Sequence, residues 1–303
     1  QVILVTYLKA SKFSLDEVES GKQKASLKIM FLYRLKILIL RILGYEKPLR
    51  VALFKYLFIK FRQFRPHYET ILLESAVQAK KLGYENVTVL ELGVAGGNGI
   101  ITLEKYKKNI EKLTKVKIKI VGFDSGEGLT KIDSKFDLPF YWKEGQFKTD
   151  KKKLESHIDS KIIYGDVKNT IDEFIKTNPE NIVAIFFDLD LYSSTKNFLN
   201  QLSKLDKYLA PRVYCYFDDV HLPENWINEH NGELLAIKEF NSKSENIKIG
   251  QALDNINDFK FPLGKNHLFV LHNFNHKDYN KFIGIDDENS LHIGDTRVRT
   301  KIF

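Results

Sequence analysis

Between residues 87 and 220, short apolar, β-branched runs alternate with stretches whose apolar positions recur at helical spacing. VTVLELGV, VKIKIVGFDS, KIIYGDV, NIVAIFFDLD and RVYCYFDDV read as strands, with ITLEKYKKNIEKL, TIDEFIKT and TKNFLNQLSKLDKYL as helices between them. Strands that alternate with helices imply right-handed crossovers and a mostly parallel sheet covered on both faces, a doubly wound α/β fold. Upstream, HYETILLESAVQAKKLGY predicts a helix capped by Gly83. Downstream, GELLAIKEFN predicts one more helix. NIKIGQAL and NHLFVLHNF then predict two strands with no helical crossover between them, hence antiparallel C-terminal strands at the sheet edge.

Ahead of Pro66 the pattern changes. SLKIMFLYRLKILILRILGY and PLRVALFKYLFIKFRQF are apolar with Lys and Arg interspersed and almost no acids. They predict a basic helical N-terminal extension over residues 1–65, followed by a main domain over 66–303. Basic residues interrupt each apolar run before the roughly 20 residues that a membrane span needs. Such helices pack on the main domain or on a second subunit, making a homo-oligomer, or they lie peripherally on an anionic membrane surface.

The composition, 43% hydrophobic and 28% charged over 303 residues, excludes disordered and fibrous classes. The net charge of +8 selects no partner by itself. Cys215 is the single cysteine, which excludes an internal disulfide and a multi-cysteine metal site. It fits a reducing compartment. The expected location is therefore cytoplasmic, including the inner face of the membrane, with no recognisable signal peptide.

VLELGVAGGNGIITL places Glu91 on the first strand, then Gly93, Gly96, Gly97 and Gly99 in a turn that opens a helix. Glycines permit close backbone approach, and a helix N-terminus offers free N–H groups to an anionic or polar ligand. The spacing G-x-x-G-G-x-G is neither the dinucleotide fingerprint nor a P-loop. Asp124 and Ser125 follow the second strand and Asp166 the third. Three acids at successive strand ends lie on the face where doubly wound sheets bind ligands. They point to a nucleoside site, with Asp124 accepting the ribose hydroxyls.

Asp188 and Asp190 end the fourth strand, and Asp218 and Asp219 the fifth. If those strands are neighbours, up to four carboxylates converge at one rim. Their repulsion calls for a positive charge among them, and an all-oxygen site suits Mg²⁺, with Mn²⁺ or Ca²⁺ as alternatives. Asp190 and Asp219 also admit a plain reading as exposed or capping residues. His221 is a structural histidine, an alternative base or a substrate contact. Tyr141, Trp142 and Phe147 suit a lid over bound ligands or ordinary core.

The acid before the glycine loop resembles the first motif of class I S-adenosylmethionine (SAM) methyltransferases. FDSGEGL, WKEGQF, GDVKNT, DLDLYSST and FDDV, in that order, resemble the metal-dependent sugar O-methyltransferases of the macrocin O-methyltransferase type. The resemblance implies SAM at Glu91, the four glycines, Asp124, Ser125 and Asp166, with Asp166 holding the adenine amino group. It also implies a metal held by Asp188, Asp218 and Asp219, and Asp190 as the base that takes the acceptor proton. An exchange of duties between Asp188 and Asp190 stays open. The acceptor would be a sugar hydroxyl of a glycan, a nucleotide sugar or a glycosylated natural product, with Tyr141, Trp142 and His221 as substrate contacts.

Nucleic acid is not the expected partner. DLDLY stands where amino-methylating enzymes of this fold carry an Asn/Asp-Pro-Pro-aromatic motif, and an acidic rim repels phosphate. A non-catalytic glycan-assembly scaffold would gain nothing from clustered acids.

Overall fold

A computed structural model describes residues 65–221, 226–252 and 267–284, so the helices expected before residue 65 and the loop with Pro262 and Gly264 lie outside the described residues. The strands are β1 (Asn86–Leu92), β2 (Lys117–Asp124), β3 (Lys161–Tyr164), β4 (Ile182–Phe187), β5 (Leu209–Phe217), β6 (Ile247–Gln251) and β7 (Leu268–Asn273). They form one sheet in the order β3-β2-β1-β4-β5-β7-β6. The pairs from β3 through β5 are parallel, while β7 runs antiparallel to both β5 and β6. This is the doubly wound, mostly parallel sheet with antiparallel C-terminal strands that the alternation predicts.

Helices α1 (Pro66–Leu82), α2 (Asn98–Thr114), α3 (Lys151–Glu155), α4 (Val167–Lys176), α5 (Tyr192–Leu199), α6 (Leu202–Leu205) and α7 (Gly232–Lys243) accompany the sheet. The continuous run IVAIFF forms the central strand β4, with all six residues buried, as a strand covered on both faces requires. The one helix expected over residues 195–209 is instead α5, α6 and a 3₁₀ turn, Asp206–Tyr208. Its buried residues Leu199, Leu202, Leu205 and Tyr208 recur every three positions, so the chain tightens to keep them on the sheet. The short α3 lies in a stretch that the periodicity left unassigned. No helix among the described residues is long and apolar enough to cross a membrane.

The path from β1 to β2 and β3 runs to one side of β1, whereas β4 and β5 lie on the other. Strand order therefore reverses at β1, and a crevice opens beyond the carboxyl ends of β1 and β4, where such sheets bind ligands. Phe187 and Phe217 pair in register and stack at 4.1 Å between centroids. That contact brings the residues after them, Asp188 and Asp218, to the same rim.

Candidate functional site

The glycine loop meets the crevice between β1 and α2. Gly93 has φ 82°, and a Cβ there would lie 1.8 Å from the Asp188 carbonyl oxygen, so only glycine lets the end of β1 pass this close to β4. Gly97 is the N-cap of α2, while a Cβ on Gly96 would meet nothing within 4 Å, leaving that side of the loop open to a ligand. Gly99 packs against Glu91, whose Oε1 would sit 1.7 Å from a Cβ at that position. Glu91 is buried, its Oε2 has no hydrogen-bond partner among the described residues, and burial holds its carboxyl well above the usual range.

Asp124, expected to face the ribose, is held by donors of the protein itself. Its Oδ2 accepts from the N–H groups of Val94 and Ala95, each at 2.8 Å. Its Oδ1 accepts from Gly126 N–H at 2.6 Å and the Thr149 hydroxyl at 3.0 Å. These four donors clamp the glycine loop to the turn after β2 and to the loop before α3. Ser125 closes the neighbouring turn, donating to the Gly128 carbonyl at 2.7 Å. Asp166 caps α4 through Lys168 N–H at 2.9 Å, with its second oxygen outside that bond.

The acidic pairs do converge, with a change of membership. Ligand oxygens of Asp188, Asp190 and Asp219 lie within 4.8 Å of one another. Asp218 is not in this group; the Tyr216 hydroxyl, two residues back, donates to its Oδ1 at 2.5 Å. Asp190 arrives by a turn and not by strand alternation: β4 ends at Phe187, and Asp190 has φ 59°. Its N–H donates to Asp219 Oδ2 at 3.1 Å, which holds that left-handed residue in place.

Behind the group stands Glu233, fully buried on α7, which the sequence reading does not single out. It accepts from Asp219 N–H at 3.1 Å and from the Thr195 hydroxyl at 3.3 Å. Burial, reinforced by Asp188 and Asp218, pushes Asp190 up to about 8; burial and Asp218 push Asp188 up to about 7. Burial and Asp190 hold Asp219 well above the usual carboxylate range, and burial does the same for Glu233.

Among the described residues, the positive charge beside the acids is Arg65, just before α1. Its Nη1 lies 3.4 Å from Asp188 Oδ2 and donates to the Tyr68 hydroxyl at 2.7 Å. The only advance signal is general, that clustered acids need a counter-charge. Beside it His67 stacks on Tyr216 at 4.8 Å, and both its ring nitrogens are buried without a partner among the described residues. Burial, with Arg65 and His267, keeps that ring well below its usual pKa and therefore neutral.

Tyr141, Trp142 and Phe147 sit together in the loop before α3, with Tyr141 and Trp142 at 4.6 Å and Trp142 and Phe147 at 6.1 Å. His221 is exposed, with its ring 6.4 Å from that of His267. Cys215 is buried in β5, as packing requires. An open cavity of about 530 Å³ lined by Lys80, Tyr84, Lys115 and Lys117 lies at the opposite, amino end of the sheet and contains none of the candidate residues.

Among solved structures, one of CalS11, a calicheamicin methyltransferase, is 20% identical over 84% of this chain and 94% of its own, with a TM-score of 0.47. An apo structure of CalS11, there called a TDP-rhamnose 3'-O-methyltransferase, is 18% identical over 84% and 96%, with a TM-score of 0.40. The O-methyltransferase NovP is 15% identical over 66% and 78%, with a TM-score of 0.45. No protein-family model and no curated protein matches the chain.

Proposed function

We propose that the chain is a SAM-dependent O-methyltransferase that acts on a sugar hydroxyl with the help of a divalent cation. The observation that carries this reading is the convergence of Asp188, Asp190 and Asp219 within 4.8 Å, at the switch point of the sheet and beside the open glycine loop.

The residues suit both groups. Three carboxylates gathered within 4.8 Å are the oxygen donor type that a hard cation such as Mg²⁺ takes, and burial together with repulsion from neighbouring carboxylates raises the carboxyl pKa values of Asp188 and Asp190. Gly96 and the N-terminus of α2 offer backbone N–H groups to an amphiphilic cofactor, with Glu91 packed against Gly99 and Asp166 past the end of β3, two strands from β1. When bound, SAM supplies an electrophilic methyl on sulfur, and the cation acidifies the hydroxyls it holds.

The chain's own residues do the rest. Asp188 and Asp219 hold the charged end of the site, Tyr216 orients Asp218, and Glu233 fixes the backbone of Asp219. Asp190, once ionised, takes the acceptor hydroxyl proton as that oxygen attacks. The compact group also admits the exchange in which Asp190 joins the ligands and Asp188 is the base. The reading places the methyltransferase domain over residues 66–303.

Calorimetry with SAM, and transfer of a labelled methyl to a panel of nucleotide sugars and oligosaccharides, test the proposal. Saturable SAM binding and label in a sugar are expected. Label appearing only in nucleic acid, or no SAM binding, contradicts it.

A further inference from the structure

Exposed aromatic rings gather at one place near the acids. Among the described residues six large apolar side chains are exposed, and Phe140, Phe147 and Trp226 are three of them. Trp226 packs edge-on against Phe140 at 5.4 Å and Tyr141 at 5.9 Å, joining the loop before α3 to the segment before α7. An edge-to-face contact covers at most one face of a ring, and the exposure of Phe140 and Trp226 leaves further ring surface open.

These rings are held and not merely left over. Leu129 N–H donates to the Gln146 carbonyl at 2.8 Å and Gly145 N–H to the Leu129 carbonyl at 2.9 Å, closing the loop at its base. Asp137, fully buried, accepts from Ser193 N–H at 2.7 Å, and Phe136 packs on Tyr192 at 5.4 Å. On the other side, a Cβ at Gly232 would lie 3.2 Å from Ile227 and 3.7 Å from Leu138. Both anchors therefore end beside the acids: Ser193 is three residues past Asp190, and Gly232 precedes Glu233, which holds Asp219.

We infer that Trp226 offers the platform, the ring face on which a pyranose ring of the acceptor lies, with Phe140 standing against it at 69° as a side wall, while the sugar's hydroxyls reach the carboxylates. A pyranose presents apolar C–H bonds on its face and hydroxyls around its edge, which matches an exposed indole face on segments anchored beside the acids. The patch is too small for a protein partner. At exposures of 68%, 53% and 45%, three rings of about 200 Å² each offer about 300 Å², well short of the roughly 800 Å² a side of a stable interface. The inference rests on the proposed sugar O-methyl transfer for the identity of the ring.

Trp142 and Trp226 are the chain's two tryptophans, so in full-length Trp142→Phe protein the emission reports Trp226 alone. Titration with a nucleotide diphosphate hexose and with a neutral oligosaccharide should change that emission saturably with at least one of them; the corresponding nucleotide diphosphate without sugar should not. By calorimetry, Trp226→Ala and the exposed Phe140→Ser should each weaken sugar binding about tenfold. Trp226→Phe should keep most of it, and SAM affinity should stay unchanged in all three. Sugar affinity within twofold of wild type in both Trp226→Ala and Phe140→Ser overturns the platform, as does an equal emission change with the nucleotide alone. Because binding is read without SAM, a Trp226 response to sugar with no methyl transfer keeps the platform and refutes only the activity.

Discussion

Arg65 reaches Asp188 across 123 positions of sequence, with Nη1 3.4 Å from Oδ2 and both side chains largely buried. It is the counter-charge of the acidic rim in the protein without a cation. A guanidinium stays charged at any working pH, so it competes with a cation for the same carboxylate. Arg65→Gln should destabilise the metal-free protein by about 1–3 kcal/mol, because it leaves Asp188 less well paired. It should also tighten Mg²⁺ binding about fivefold, since a like charge leaves the site. Thermal melts in EDTA and Mg²⁺ calorimetry measure the two effects. Weaker Mg²⁺ binding would instead make Arg65 a support of the cation site.

Asp190 sits at φ 59°, a conformation that Asn tolerates well. Asp190→Asn should therefore fold normally while removing the proton acceptor. Turnover should fall by about 10²–10⁴-fold, with SAM affinity unchanged. If Mg²⁺ affinity falls as steeply as turnover, Asp190 is a ligand and Asp188 takes the proton.

The acids also set a pH dependence of stability. Asp188 and Asp190 hold their protons up to about 7 and about 8 in the folded protein, whereas an unfolded carboxyl loses its proton near 3.8. The folded state therefore binds more protons between those limits, so stability present at low pH is lost as pH rises toward 8. Asp219 and Glu233 shift in the same direction. Melting temperature in EDTA should fall from pH 5 to pH 8, and Mg²⁺ should restore most of the loss at pH 8. A flat profile in EDTA would mean that the carboxyls are not mutually raised.

Asp124 ties the two halves of the cofactor cradle through four donors. Asp124→Asn replaces one accepting oxygen by an NH₂ donor that faces other donors, and should loosen the loop. SAM affinity should drop about tenfold or more, with the fold retained, since each charge-assisted bond lost is worth about 1.5–3 kcal/mol. An unchanged SAM affinity would remove Asp124 from the cradle.

What the sequence made legible was local. Strand identity, the parallel sheet and the antiparallel C-terminal strands follow from period and run length, and the acids after IVAIFF and VYCYF had to emerge at strand ends. The direction in which each carboxylate points depends on bonds past the last ladder rung. Asp190 itself takes a left-handed conformation that its sequence does not demand, and Asp218 accepts from Tyr216. Arg65 and Glu233 come from segments distant in the chain, and the partners of Asp124 come from three separate loops. None of these contacts leaves a periodic trace.

The central claim is cation-assisted methyl transfer at the Asp188, Asp190 and Asp219 cluster. It is tested most directly by following labelled methyl from SAM into a sugar acceptor, before and after EDTA and again after Mg²⁺ is restored. Transfer should vanish with EDTA and return with Mg²⁺; undiminished transfer in EDTA would contradict cation assistance.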